Sequence, residues 1–239
     1  AAAGTPAETK ITGAAAEPEI SDLLAYLRGC GALIESQPDG AILVQGREAL
    51  TGCCCHAILP DRIEAATYLA AAAITGGEIT VYASPEHLAA PLAALRRMGC
   101  RITTGEQSIT LTAPEHLQLP YPGFPTDLQA IFMALAAAAE GYTAFTETVF
   151  PRRWAHVEEL RRLGADITVV GSHAVIRGAP LIGSALTCTD LRAGAAVVLA
   201  ALAAKGESSV TAISHIERGY ADFVSTLRHL GADIYLTEV

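Results

Sequence analysis

Two apolar rhythms alternate along the chain. One is the helical run with almost no polar face, as in "AIFMALAAAA" and "AAVVLAALAA". The other is the short strand rich in β-branched residues, as in "EITVY" and "ADITVV". The runs of about ten residues are half the length a membrane span needs, so they predict buried helices. "LAAAAITGGEITVY", "LAAAAEGYTAFTET" and "LAALAAKGESSVTA" each read as apolar helix, glycine stop and strand. A helix apolar nearly all round must lie inside, and sheets are expected around it.

The pattern is an internal repeat. "YLRGCGALI", "ALRRMGCRI", "ELRRLGADI" and "TLRHLGADI" each end a helix on glycine and enter a strand, the last near Ile234. Their stop glycines, Gly31, Gly99, Gly164 and Gly231, recur about every 65 to 68 residues. Glycine fits the left-handed turn that ends a helix, and the arginines before it complement the helix dipole. Each unit is expected to run strand–helix–strand–helix–strand–strand. "CRITTGEQSITLT" and "ADITVVGSHAVIRG" supply the closing strand pair. The expected fold class is α/β (α+β), with βαβαββ repeats. The first copy, "AAAGTPAETKITGAA", starts at what resembles the last turn of such a helix. The expectation is therefore the C-terminal part of a longer protein. Residues 1–58 would finish one barrel, and 59–239 would form a second from three units.

Composition narrows the function classes. The chain has 239 residues, 51% hydrophobic and 17% charged, with a net charge of −9. That composition describes a packed protein and not a disordered one. Without a basic run, neither nucleic acid nor an anionic membrane is an expected partner. An anionic ligand would need a few arginines focused against the global charge. The six cysteines (Cys30, Cys53, Cys54, Cys55, Cys100, Cys188) have no disulfide-scaffold spacing, and "AAAGTPAETK" is not a signal peptide. A reducing, cytoplasmic setting is expected.

Three acids stand in register at the predicted helix starts: Asp61 in "LPDRIEAAT", Asp127 in "FPTDLQAIF" and Asp190 in "CTDLRAGAA". Singly, each reads as a helix cap. Together, on related units, they mark helix N-termini that would converge as an anion site. Arginines gather nearby: Arg152 and Arg153 in "FPRRWAH", Arg192 after Asp190, and Arg218 in "HIERGY". Singly, each is a solvated charge. Together their planar forks suit a small dianion.

"TGCCCHAILP" invites a metal reading. On a strand, however, only Cys53 and Cys55 share a face and no second pair follows, so a buried strand is expected. His87, His156 and His215 have no ligand spacing, and His156 beside Trp154 reads as packing. No phosphate-binding loop or dinucleotide fingerprint occurs. No metal and no cofactor is expected.

"LPDRIEAATYLAAAAITGGEI", "FPTDLQAIFMALAAAAEG", "ETVFPRRWAHVEELRRLGADI", "TDLRAGAAVVLAALAAKG" and "HIERGYADF" together resemble the UDP-N-acetylglucosamine enolpyruvyl transferases, from about Ala16 onward. The resemblance implies two inside-out α/β barrels with the active site between them. It implies transfer of enolpyruvyl from phosphoenolpyruvate to the sugar 3-hydroxyl, the first committed step of peptidoglycan synthesis. The small-molecule substrates would be UDP-N-acetylglucosamine and phosphoenolpyruvate. On matching positions, Asp127 would be the general base and Val149 a nucleotide-sugar contact. Arg153, Asp190, Arg192 and Arg218 would hold phosphoenolpyruvate or shape the cleft. Asp127, Arg153 and Arg218 would also bind substrate. The family's cysteine loop, its basic "KN" pair and another arginine have no counterpart here. The expected partner is thus the missing N-terminal segment, and the chain alone is expected to be silent. Alternatives are a relative of 5-enolpyruvylshikimate-3-phosphate synthase, against which "PDRIE" and "HIERGY" weigh, or a non-catalytic nucleotide-sugar-binding remnant.

Overall fold

The computed structural model describes residues 1–52, 55–115, 117 and 126–237. It divides into two compact units, Ala1–Pro60 and Asp61–Val239.

In the first unit a single helical turn, Ala2–Gly4, precedes β1 (Glu8–Ile11), α1 (Pro18–Gly29), β2 (Leu33–Ser36) and β3 (Ile42–Gln45). The strands form an antiparallel sheet in the order β1-β3-β2. Ala32, Ile34, Ile42 and Val44 are buried on one face, and Ile20, Leu24 and Leu27 of α1 pack against them.

The second unit repeats this scheme. Its first copy is α2 (Arg62–Thr75), β4 (Glu78–Val81), α3 (Ala89–Arg97), β5 (Arg101–Thr104) and β6 (Ile109–Thr112). The second is α4 (Gln129–Ala138), β7 (Tyr142–Thr146), α5 (Ala155–Arg162), β8 (Asp166–Val170) and β9 (His173–Arg177). The third is β10 (Ala185–Thr187), α6 (Leu191–Ala203), β11 (Ser209–Thr211), α7 (Ser214–Glu217) and α8 (Phe223–His229). Strand orders β4-β6-β5 and β7-β9-β8 match the first unit, with the last strand of each copy inserted between the other two. β10 and β11 pair in parallel across α6.

Strand alternation decides which face looks inward. Ile79, Leu111 and Ile102 lie in one cross-strand row, and Leu111 at its centre is fully buried. The adjacent row, Thr80, Thr110 and Thr103, points outward, where the hydroxyls of Thr80 and Thr110 meet at 2.8 Å. The inward rows close over α2, α4 and α6, which belong to one hydrophobic core. Every residue of α4 from Gln129 to Ala137 is buried, as are Ala193 to Ala200 of α6. Small residues allow this closeness. A Cβ on Gly194 would meet Ile216 Cγ1 at 2.8 Å and Cys188 Sγ at 3.0 Å.

The four stop glycines all adopt positive φ, 88°, 96°, 93° and 99° at Gly31, Gly99, Gly164 and Gly231, as the repeat predicts. Two expected strands do not form. Residues 51, 52 and 55–60 carry no strand, and Cys55 is exposed; Cys53 and Cys54 lie outside the described residues. Residues 232–237 after Gly231 carry no strand either, although Ile234 still packs on the core. A β-branched run needs a neighbouring strand as well as propensity, and β-ladder partners for both segments are absent among the described residues. No helix is long and apolar enough to cross a membrane among these residues.

His156, near the start of α5, is 1% exposed with Nε2 3.1 Å from Met133 Sδ of α4. Burial pushes its imidazole down to about 4; Asp190 opposes this and Arg153 adds to it. The folded protein thus resists a proton that the unfolded chain accepts near the ordinary value of 6.5. Stability is therefore complete above that value and falls as pH drops from there toward 4, by up to about 3 kcal/mol from this one group. Urea denaturation at intervals between pH 7 and 4.5 measures that slope. His156→Phe is expected to flatten it, whatever its effect at neutral pH.

Candidate functional site

The three register acids divide into two roles. Asp61 Oδ1 accepts from the backbone N–H of Ile63 at 2.7 Å and of Glu64 at 3.1 Å, capping α2. Asp190 Oδ1 caps α6 in the same way, accepting from Arg192 at 2.9 Å and Ala193 at 2.8 Å. Asp127 is different. It lies in a tight helical turn, Thr126–Leu128, ahead of α4, and the N-cap position of α4 is Leu128. Its carboxylate faces two guanidiniums: Arg153 Nη1 at 2.8 Å and Arg192 Nη2 at 3.7 Å. Capping therefore explains Asp61 and Asp190, and it does not explain Asp127.

Each arginine is held from behind. Arg153, just before α5, donates through Nη1 to Thr126 Oγ1 at 3.1 Å and lies 5.3 Å from the Phe150 ring centre. Arg192, in the first turn of α6, donates through Nη1 to the Tyr220 hydroxyl at 3.3 Å. Their side chains are 24% and 16% exposed, against 42% for Asp127. The carboxylate is thus the solvent-reachable member of the group. Asp190 adds a carboxylate under α6, spent on capping. Arg218, at the end of α7, points its Nη2 to His215 Nδ1 at 3.2 Å on an exposed surface. Among the described residues no hydrogen bond or ion pair ties Arg218 to the Asp127 group. Arg152 is exposed.

Val149 is 60% exposed, and its N–H donates to Glu147 Oε1 at 2.7 Å. Glu147 is the residue that sequence reading passed over. It is 3% exposed at the end of β7, and it also accepts from Phe150 N–H at 3.0 Å and Thr126 Oγ1 at 2.6 Å. Burial alone would favour its neutral form. The bonds from Thr126, Phe150 and Val149, with the Arg153 charge, outweigh burial and hold its carboxyl below the usual range. Glu147 thereby fixes two things at once: the Val149–Phe150 turn and the Thr126 hydroxyl beside Asp127. The only signal for it was its place in "ETVF", which an acid at a strand end does not distinguish from a surface charge.

Residues 1–227 match the family model of EPSP synthase (3-phosphoshikimate 1-carboxyvinyltransferase). The chain belongs to this family of enolpyruvyl transferases. It is 47% identical over 234 residues to UDP-N-acetylglucosamine 1-carboxyvinyltransferase 1 of Symbiobacterium thermophilum, covering 95% of this chain and 53% of that protein. It is 46% identical to the UDP-N-acetylglucosamine 1-carboxyvinyltransferase of Magnetococcus marinus, covering 95% and 56%. The chain therefore spans about half the length of the curated relatives it matches. Among solved structures, the enolpyruvyl transferase NikO from Streptomyces tendae superposes with a TM-score of 0.87 at 30% identity, over 98% of this chain and 58% of that one. EPSP synthase from Acinetobacter baumannii, at 19% identity and TM-score 0.72, shares the fold.

Within this enolpyruvyl transferase fold, Asp127 stands ahead of α4, Asp190 and Arg192 at the start of α6, and Arg153 just before α5, with Asp127 paired to both arginines. Val149 sits at the adjoining turn. The segment leading into Asp127, residues 118–125, lies outside the described residues. "HIERGY" is flanked by Ala212 and Asp222, which have φ of 57° and 50°. They are the two non-glycine residues with positive φ among those described, and such strain tends to accompany functional segments.

Glu147→Gln tests whether that buried carboxylate holds the turn. Its depressed pKa gives stability that is present above the ordinary carboxylate value and is lost as pH falls through the folded one. The variant is expected to be about 1–3 kcal/mol less stable at pH 7, the cost of a disrupted charged hydrogen-bond set. The deficit should narrow as pH drops below about 4. Paired melting curves at both pH values measure it.

Proposed function

We propose that this chain supplies the base and an anion-binding wall for enolpyruvyl transfer from phosphoenolpyruvate to the 3-hydroxyl of UDP-N-acetylglucosamine, the first committed step of peptidoglycan synthesis. The observation that carries the reading is the Asp127 carboxylate set between Arg153 and Arg192 and left open to solvent. The names of the relatives support the acceptor: those at 44–47% identity are called UDP-N-acetylglucosamine 1-carboxyvinyltransferase. The EPSP synthase structures, at 19%, share the fold alone. A cytoplasmic location goes with this reading.

The chemistry fits these side chains. The sugar hydroxyl loses its proton to Asp127 as its oxygen adds to C2 of phosphoenolpyruvate, while solvent supplies a proton to C3. Loss of a proton from the C3 methyl to solvent and of phosphate from C2 restores the vinyl group, and Asp127 returns its proton to solvent. A carboxylate is a suitable acceptor only if it is reachable and oriented. Guanidiniums suit the phosphate and carboxylate of the donor because two N–H groups can meet two oxygens. In the free protein Asp127 occupies those same donors. An arriving dianion would compete for Arg153 and Arg192 and leave the carboxylate free for the hydroxyl. Arg218, exposed and unattached to this group, would close on the anion from the other side. Val149 would line the sugar subsite, and Asp190 would hold the first turn of α6 so that Arg192 points inward.

Since the chain spans about half of its relatives, we propose that an N-terminal segment of the same protein completes the site. The test is release of inorganic phosphate from phosphoenolpyruvate plus UDP-N-acetylglucosamine. It is run with this chain alone and with the N-terminal half of the Symbiobacterium relative added in trans. The chain alone should be silent and the mixture active; steady release by the chain alone overturns the half-site reading. In the active mixture Asp127→Asn should lower turnover by roughly 10²-fold or more, the share of a general base. The change should shift stability by no more than about 1 kcal/mol, since the ion pairs are partly exposed. Full turnover in Asp127→Asn would remove Asp127 from the chemistry.

A further inference from the structure

Behind Arg192 runs a chain of hydrogen bonds that neither capping nor core packing requires. Thr67 of α2 donates its hydroxyl proton to Ile63 O at 2.8 Å. Its oxygen lies 2.9 Å from the Tyr220 hydroxyl. Arg192 Nη1 donates to that same Tyr220 oxygen at 3.3 Å. The direction of each bond follows from the proton count. Thr67 has one proton and gives it to Ile63; Arg192 can only donate. Tyr220 therefore donates to Thr67 and accepts from Arg192. The bonds thus run in one order, Arg192 to Tyr220 to Thr67 to Ile63, linking α6, the segment after α7, and α2.

We propose that Tyr220 is a positioning residue that fixes the Arg192 guanidinium toward Asp127. Tyr220 is 1% exposed, and its ring packs 5.0 Å from that of Phe223, so its hydroxyl has one place to be. The Arg192 guanidinium also lies 5.7 Å from the Tyr220 ring centre. Ring and oxygen together hold Nη1, and Nη2 is left directed at Asp127 Oδ2. Burial raises the Tyr220 pKa above its ordinary value, though Thr67 and Arg192 act the other way. The phenol therefore stays protonated at neutral pH and keeps Thr67 as its acceptor. Arg153 has its own support in Thr126 and Glu147. The two guanidiniums of the pair are thus anchored by separate elements, Tyr220 serving one and Thr126 the other. Fixing a long side chain in advance lowers the entropy cost of meeting an anion.

The consequence for phosphoenolpyruvate rests on the function proposed above; the anchoring itself does not. Tyr220→Phe removes one oxygen and keeps the ring, so packing against Phe223 survives. The first measurement is NMR of the chain with ¹⁵N-labelled arginine, with the guanidinium Nη–H signals of Arg192 assigned by Arg192→Lys. These signals should be resolved in the parent and lost in Tyr220→Phe. In the reconstituted phosphate-release assay the variant should raise KM for phosphoenolpyruvate about tenfold, the worth of one hydrogen bond to a charged group, with a smaller change in kcat. In an Arg192→Ala background Tyr220→Phe should add nothing, because the partner it positions is gone. Thr67→Val, which leaves Tyr220 whole, should act in the same direction but more weakly. It keeps the test open should Tyr220→Phe fold poorly. Unchanged Arg192 signals in Tyr220→Phe, or effects of Tyr220→Phe and Arg192→Ala that multiply, would overturn the proposal. A reconstituted parent that releases no phosphate, together with signals lost in Tyr220→Phe, overturns the proposed function and upholds the anchoring.

Discussion

Helices α2, α4 and α6 have no polar side to offer to water, and this constraint organises everything around them. Residues such as Leu69, Leu135 and Leu199 are fully buried, and the helices that carry them exclude charge beyond their first turns. Desolvating an unpaired charge there would cost several kcal/mol, so ionisable groups are driven to the helix ends. The sheets take the remaining work of closure: their inward rows are largely apolar, and threonine and charge are confined mainly to their outward rows. Chemistry is thereby confined to a rim where orphan backbone N–H groups, capping acids and arginines meet. Asp61, Asp127 and Asp190 stand at that rim, and the one carboxylate within these helices, Glu64, keeps to the first turn of α2.

Repetition made much of this legible in the sequence. The stop glycines fall at backbone angles only glycine adopts readily, so Gly31, Gly99, Gly164 and Gly231 announce helix ends without any tertiary information. The closing strand pairs announce themselves through alternation. What local pattern could not supply was partnership. "TGCCCHAILP" has the composition of a buried strand, yet Cys55 is exposed and no ladder forms there among the described residues. The residues after Gly231 fail as a strand for the same reason. β-structure is a property of pairs, and a single stretch of sequence holds only one member.

The site divides in the same way. Register placed Asp127 and Asp190 as equivalents, and the structure makes them opposites: one capping acid and one salt-bridged acid. The Thr-Asp-Leu that surrounds both does not distinguish them. The difference lies in which guanidiniums arrive, Arg153 from the same copy at 2.8 Å and Arg192 from the next at 3.7 Å, which is a tertiary fact. Glu147 and Tyr220 were invisible for a related reason. Each acts behind an arginine, and although Glu147 opens "ETVF" and Tyr220 closes "HIERGY", neither stretch says which partner the side chain supports. Arg218 carries the strongest motif, "HIERGY", and yet makes its contact with His215 apart from the Asp127 group.

Two carboxylates lie within one connected network, and their environments set them apart. Glu147 is buried, and its oxygens accept from two backbone N–H groups and one hydroxyl. Protonating it would break that set, so it is committed to structure. Asp127 has no backbone donor among the described residues, only side-chain cations and open solvent on its remaining face. Cations on flexible stems can be drawn away by a stronger anion, whereas backbone donors cannot. A phosphate offers more charge and more oxygens than a single carboxylate, so competition for Arg153 and Arg192 favours it. The same pairing that keeps Asp127 ordered in the free protein therefore also makes its release depend on the arrival of an anion. On the function proposed above, a base controlled this way would be uncovered when the group it is to work beside is already bound.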